Sequence, residues 1–353
     1  MAFKKILFIF VLAFFVGCNE ESSKFLLQNS VSLQVERPDG LYNVSCLDGT
    51  LKFGVTKDEI ASGSVCVDLD SLLPPSFQTY CLNKDKYPNE AATILAIEKE
   101  FNSTSCDVLY RSLKDETSLS LSGYGFKSLV PLSFFEKLRF LDVSENKVED
   151  LTPLENLVNL EQLNLGRNAI KNLSGLGGLK KLENLNLSRN RIESVEGLFL
   201  GKGLIKLNIS HNYLETFDVG DDLPHLKTLL LKRNRLSDVS GLVRIDGLSN
   251  LDVSENLLTD LSVIRGLETL ERLVFYRNRI KNIGFLSSLP SIHTLDIGWN
   301  PIEDLSVLRE LRGLERFSGE SILLGRGIAV TRENCPLDEP TSRVVMEFCR
   351  ERF

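Results

Sequence analysis

The sequence predicts an α/β solenoid, a stack of like coils that each supply one short strand and one short helical return, with disulfides at both ends. Three observations predict it. An asparagine recurs at a constant interval of 22 residues, at Asn146, Asn168, Asn190, Asn212, Asn234, Asn256, Asn278 and Asn300. Each closes the same phrase, Leu/Ile-x-x-Leu/Ile-x-apolar-x-x-Asn, as in LRFLDVSEN ending at Asn146 and IHTLDIGWN ending at Asn300. Six cysteines flank the repeated stretch and none lies within it. A coil of this kind has no partner for its apolar residues until its neighbours stack on it.

The elements of a coil follow in order. Apolar residues alternate with polar ones, as in Leu141-Asp142-Val143, which reads as a short strand with one buried face. Two residues on, the chain must turn, and an asparagine amide carries one acceptor and two donors for the backbone groups freed by the bend. Turned inward, it would bridge to the next coil, because a buried polar group needs partners. Apolar residues follow it at Val148 and Leu151, and at the equivalent places in every coil, such as Leu214 and Phe217. Thr152 before Pro153 reads as the cap of a short helical return, and Ser174, Ser240, Ser262 and Ser306 hold the same place in other coils.

The pattern LxxLxLxxNxIxxL resembles the leucine-rich repeats of bacterial internalins. The resemblance runs from about Leu119 to Leu314. It implies a horseshoe with short parallel strands on the concave face and 3₁₀ or short helical segments on the convex side. It also implies that another protein is bound through the concave face. The array decays at both ends: Tyr124 and Ile322 stand where the asparagine belongs. The repeats are expected over residues 117–322, eight regular coils with a degenerate one at each end.

Outside the array, Lys4 and Lys5 precede an apolar run from Ile6 to Val16, too short to span a bilayer and suited to a secretory signal over residues 1–17. Phe15-Val-Gly-Cys18 resembles a bacterial lipobox, with Phe15 in place of the usual Leu, which makes Cys18 the lipidation site. An ordinary signal peptide with an incidental cysteine is the competing reading. Asn19 is not the Asp associated with inner-membrane retention, so an outer membrane is preferred. Residues 18–40 read as a lipidated tether, 41–80 as a small disulfide-closed module, 81–116 as a helical cap and 323–353 as a C-terminal cap. Within the module, Tyr42–Cys46 and Leu51–Val55 are strand-like around an Asp48-Gly49 turn, and Ala91–Phe101 in the first cap is an amphipathic helix.

Seven cysteines are an odd number for an exported chain, and committing Cys18 to lipid leaves six. Nearest-neighbour pairing gives Cys46–Cys66, Cys81–Cys106 and Cys335–Cys349, although other connectivities and free thiols stay open. No CxxC or histidine cluster accompanies them, so neither a metal nor another cofactor is expected.

A net charge of −7 argues against a nucleic-acid partner, which requires a basic face. The three histidines His211, His225 and His293 carry no catalytic motif, and the expectation is a non-enzymatic binding protein. Its partner-binding candidates flank the asparagines and form a basic and aromatic stripe: Arg167, Arg189, Arg191, Tyr213, Lys232, Arg233, Arg235, Tyr276, Arg277, Arg279 and Trp299. Two readings stand side by side. These cations are solvated and paired with acids of the convex turns (Glu149, Glu193, Asp238, Asp260, Glu303), or they contact an acidic protein surface or an anionic glycan. A second functional class also remains, an envelope assembly factor that binds through the 41–80 module and uses the repeats as a spacer.

Overall fold

A computed structural model of the chain describes residues 31–36, 42–46, 51–56, 76–196, 198, 202–219, 223–318, 335–336 and 341–352. It divides into two compact units, Met1–Thr79 and Tyr80–Phe353. The signal segment, Cys18, the Cys46–Cys66 pairing, the Asp48-Gly49 turn and Ile322 fall outside the described residues.

In the first unit, β1 (Val31–Glu36), β2 (Tyr42–Cys46) and β3 (Leu51–Val55) form an antiparallel sheet in that order. The two expected strands pair, but β1 lies in the stretch read as tether. Val31-Ser-Leu-Gln-Val35 has the alternating pattern of a strand, and Leu33–Glu36 pairs along β2 from Ser45 to Tyr42.

The second unit is built on ten parallel strands in one open sheet, β4 (Ser118–Ser120) to β13 (Arg316–Ser318), laid down in chain order. Leu119, Leu141, Leu163, Leu185 and Leu207 stand opposite one another in successive strands. Each strand is three residues long and, except in β13, where Phe317 is half-buried, buries its middle residue, as with Leu141 between Phe140 and Asp142. The apolar residues after each asparagine also point inward, so one apolar core runs the length of the stack.

The asparagines are the rungs of that core. The Asn212 amide nitrogen donates to the carbonyls of Leu187 in the preceding coil and Ile209 in its own, both at 3.0 Å. Its oxygen accepts the Ile192 N–H at 3.0 Å, again from the preceding coil. The same set recurs at the other seven rungs, and all of them except the half-buried Asn168 are buried.

The residue before each rung adopts a left-handed backbone, with φ between 53° at Trp299 and 59° at His211. None of the eight is glycine, so each costs about 1–2 kcal/mol relative to a right-handed backbone. The hydrogen bonds explain why the strain persists. The His211 N–H donates forward to Lys232 O, whereas the Tyr213 N–H, just past the rung, donates backward to Ile192 O. The left-handed residue makes that change of direction, and the coils on both sides hold it. In the first coil, which lacks the rung, Gly123 occupies this position with φ +80°.

On the convex side the returns are 3₁₀ turns, including Thr152–Leu154, Ser240–Arg244, Ser262–Ile264 and Ser306–Glu310. The expected caps are displaced by two residues. Thr152 and the serines accept no capping bond; the acceptor lies two residues earlier. Asp150 Oδ1 takes both the Thr152 N–H (2.9 Å) and its hydroxyl (2.7 Å), whereas Asp238, Asp260 and Asp304 take the N–H of their serines on Oδ1 and the hydroxyl on Oδ2. A carboxylate or amide bonding the backbone two residues on is an Asx turn, which closes the bend before the helical turn begins. The Ser174 coil keeps this turn through Asn172 but forms no 3₁₀ segment. Gly175 there has φ +97°, and a Cβ on it would collide with the Leu151 carbonyl.

Both ends of the stack are covered. The N-terminal cap comprises α1 (Phe77–Leu82), α2 (Pro88–Glu100) and α3 (Cys106–Leu113). Pro88 opens α2 at the position where a missing N–H is harmless. Thr93 on α2 donates to the Ser128 carbonyl at 2.6 Å, and Tyr124, the residue in place of the first rung, donates to Glu100 at 3.0 Å. The Cys81–Cys106 disulfide joins α1 to the start of α3, so it braces the cap internally and does not staple it to the first coil. At the other end α4 (Arg343–Arg352) sets Phe348 edge-on to Phe317 of β13, ring centres 5.1 Å apart, and Cys335–Cys349 ties it down.

Candidate partner-binding surface

The residues just before and after each rung form two parallel rows along the edge where the strands turn. The first row runs Glu145, Arg167, Arg189, His211, Arg233, Glu255, Arg277, Trp299, and the left-handed backbone projects it to solvent. The second includes Arg191, Tyr213, Arg235 and Arg279, all exposed. Regular coils therefore place the sequence-predicted stripe in fixed register, at a rim beside the strands and not on the sheet face itself.

Among the described residues no ion pair joins a cation of the stripe to the convex acids named from the sequence. Asp238 and Asp260 are engaged by Ser240 and Ser262, and Glu303 pairs with Lys281 at 3.1 Å. Ion pairs instead form within the rows. Arg167 meets Glu145 at 3.3 Å, and Glu255 takes Arg233 at 2.6 Å, Lys232 at 3.1 Å and Arg277 at 3.9 Å. One carboxylate among three cations leaves the cluster positive. Partial burial would raise the Glu255 carboxyl, but hydrogen bonds from Arg233 and Lys232 outweigh it and hold the group below its ordinary value. No ion pair engages Arg189, Arg191 or Arg279 among the described residues.

Aromatic rings order the same cations. Arg277 lies 4.8 Å from the Trp299 ring centre and 5.5 Å from that of Tyr276, and Arg235 lies 4.8 Å from Tyr213. A guanidinium held over a ring loses little further freedom when it binds a carboxylate. Trp299 and Tyr213 remain 44% and 41% exposed, large apolar surfaces beside fixed positive charge. The neighbouring half-buried His211 is held below its usual value by burial, then by the charges of Arg189 and Arg233. It stays neutral at physiological pH. Of the apolar residues at or beside the strand ends next to the stripe, Val274 is buried, while Leu230 and Tyr276 are partly open.

Sequence reasoning missed a second feature, on the sheet face. Phe140, Gln162, Asn164, Asn184, Asn186, Lys206 and Asn208 border an open depression of about 310 Å³. Asn164 donates to Asp142 Oδ2 at 2.9 Å and Asn186 donates to Asn164 Oδ1 at 2.8 Å, a second amide row running across the coils. The signal was present at the outward strand positions, but polar residues there are expected on any solvated face.

No group of His, Cys, Asp or Glu among the described residues is arranged to hold a metal ion, and no described helix is long and apolar enough to cross a membrane.

Models of the leucine rich repeat match residues 180–236, and two-copy leucine rich repeat models match residues 158–200 and 268–310. No curated protein matches the sequence significantly. Among solved structures, an internalin (InlF) from Listeria monocytogenes superposes with a TM-score of 0.57 at 22% identity, over 71% of this chain and 79% of that one. Internalin C2 of the same species gives 0.50 at 26% identity, over 65% of this chain and 96% of that one. The functional domain of its InlJ, described as including a cysteine ladder, gives 0.53 at 19% identity, over 72% and 63%. The chain thus carries leucine-rich repeats folded as an open horseshoe solenoid with disulfide-braced ends.

Proposed function

We propose that this chain is a non-enzymatic recognition protein, exported and lipid-anchored at Cys18 to the bacterial cell envelope, with the outer membrane preferred. Leucine-rich repeats commonly mediate protein binding. The partner here is a protein with an acidic surface, engaged by the rim of the concave face. The observation that carries this reading is the Glu255 cluster: Lys232, Arg233 and Arg277 converge on one carboxylate, and Arg277 is stacked on Trp299. Arginine, tyrosine and tryptophan dominate interface energetics, and here the rings prearrange the charge.

The test is capture of envelope proteins by the full chain and by the triple variant Arg189→Glu, Arg233→Glu, Arg277→Glu. Loss of a specific partner, with a melting temperature within a degree or two of wild type, supports the reading. An unchanged captured set removes the rim from consideration. Metabolic labelling with a radiolabelled fatty acid checks the anchor, since Cys18→Ala should abolish incorporation.

The existence of a separate N-terminal unit favours the alternative, in which the β1–β3 module binds and the repeats act as a spacer. Deleting residues 31–56, which removes β1–β3 and spares the cap helix α1, separates the two, because the rim reading predicts that capture survives.

A further inference from the structure

The amide-lined depression has a chemical bias that narrows its ligand. Asp142 fixes the orientation of the row, because its carboxylate accepts the Asn164 amide nitrogen and so turns the Asn164 oxygen toward the next coil. That oxygen is occupied by the Asn186 nitrogen at 2.8 Å and the Gly166 N–H at 3.2 Å. The Asn186 and Asn208 oxygens accept the N–H groups of Ser188 and Ser210, each at 3.0 Å. Each amide nitrogen has two hydrogens, and at most one is engaged within the row. The row therefore presents free donors, while the Asn164 oxygen is filled and the Asn186 and Asn208 oxygens each already accept one bond. Lys206 is exposed with no ion pair among the described residues, and Phe140 is half-buried at one end.

The Asp142 carboxylate already accepts from Asn164 and Ser144. The free donors and Lys206, three strands away, therefore select a ligand rich in oxygen acceptors with its negative charge at the Lys206 end. Spacing then distinguishes a sugar chain from a peptide. Neighbouring strands lie about 4.8 Å apart, so the row repeats at that distance. An extended peptide brings like-facing groups back only every ~6.7 Å, out of step with the row. Successive rings of a β-1,4-linked pyranose chain are also turned over, but either edge of the chain presents an oxygen substituent at every residue, at nearly the strand spacing, and the apolar C–H face is suited to stack on a ring such as Phe140.

We propose that this depression binds a β-linked acidic oligosaccharide, with Phe140 under one sugar, Asn164, Asn186 and Asn208 donating to oxygens of successive sugars, and Lys206 pairing a carboxylate. The site adds a second ligand class to the recognition function proposed above. It rests on that reading only in taking the inner surface as the ligand face.

Calorimetric titration of the full chain with a β-1,4-linked hexaglucuronate, and with neutral cellohexaose as its uncharged counterpart, tests the proposal. Wild type should bind the glucuronate more tightly than cellohexaose. Lys206→Ala removes an exposed side chain without disturbing the fold; it should weaken glucuronate binding about tenfold, the loss of one charge-assisted contact, and leave cellohexaose unchanged. Phe140→Ala should weaken both. The triple rim variant should lose protein capture yet keep glucuronate binding, so the two readings fail separately. Absence of glucuronate binding by wild type overturns the proposal. So does glucuronate affinity unmoved by Lys206→Ala and Phe140→Ala, or lost only in the rim variant. Equally tight, Lys206-dependent binding of a hexaglutamate peptide would assign the depression to peptides and overturn the sugar reading.

Discussion

Arg233 and Glu255 stand one coil apart at the same left-handed position, with φ of 55° and 54°, and Nε of one lies 2.6 Å from Oε2 of the other. The solenoid sets this pairing: any two residues 22 apart on the rim are neighbours in space. Glu255 keeps 14% of its side chain exposed and holds Lys232 and Arg277 as well, so it organises the positive cluster. Glu255→Gln should leave the three cations mutually repelling and more mobile. The expected outcome is a partner affinity that changes more steeply with salt than in wild type, measured by titrations at several ionic strengths.

The rungs carry stability. Asn212→Ala strands the Ile192 N–H inside the stack and takes one of two amide donors from each of the Leu187 and Ile209 carbonyls, which keep those of Asn190 and Asn234. The predicted loss is about 1–3 kcal/mol in denaturant melts. Gly175→Ala should also be strongly destabilising, because its Cβ would meet the Leu151 carbonyl and its φ of +97° disfavours any side chain.

Left-handed strain gives a prediction with two signs. Arg189→Gly relieves a backbone penalty of about 1–2 kcal/mol and loses part of it to added unfolded-state freedom, so stability should hold or rise slightly. Arg189→Val puts a β-branched residue at φ 57° and should destabilise the fold. Chemical denaturation of the two variants side by side decides the point.

Burial lifts the Asp296 carboxyl above its ordinary value, against the hydrogen bonds from Gly298 and Ser318 that lower it. A carboxyl raised on folding favours the folded state at acid pH, and that contribution is lost as pH rises from 3.8 through the raised value. Asp296→Asn keeps the acceptor for the Gly298 N–H, in a register that Asn164, Asn186 and Asn208 already occupy. Its melting temperature should exceed that of wild type at about pH 7, and the gap should close toward about pH 3.

Much of this was legible in the sequence because a solenoid converts spacing directly into adjacency. The rung asparagines, the alternating strands and two disulfide-braced caps followed from period and cysteine placement. The left-handed residues were not legible, since Arg, Glu, His and Trp there give no local signal and the conformation is imposed by bonds to adjacent coils. The turn caps were misplaced for a related reason. Ser and Thr are good cap residues in isolation, but an acid or amide two positions earlier competes for the same N–H. Which acids meet the rim arginines was left open between two readings, because coil geometry, not composition, decides which charges meet; Glu145 and Glu255, on the rim itself, are the acids they reach. Val31–Glu36 was passed over because polar flanks masked a short alternating strand.

The central claim is that the rungs are scaffold and the rim is the recognition surface. The most direct test measures partner affinity and thermal stability together for Asn234→Ala and for Arg277→Glu with Trp299→Ala. The account predicts a crossed result. Asn234→Ala should lower stability and keep the affinity of wild type well below its melting temperature, while the rim variant should lose at least about tenfold in affinity, some 1.4 kcal/mol, at unchanged stability. Affinity lost with the rung and retained without Arg277 and Trp299 would contradict it.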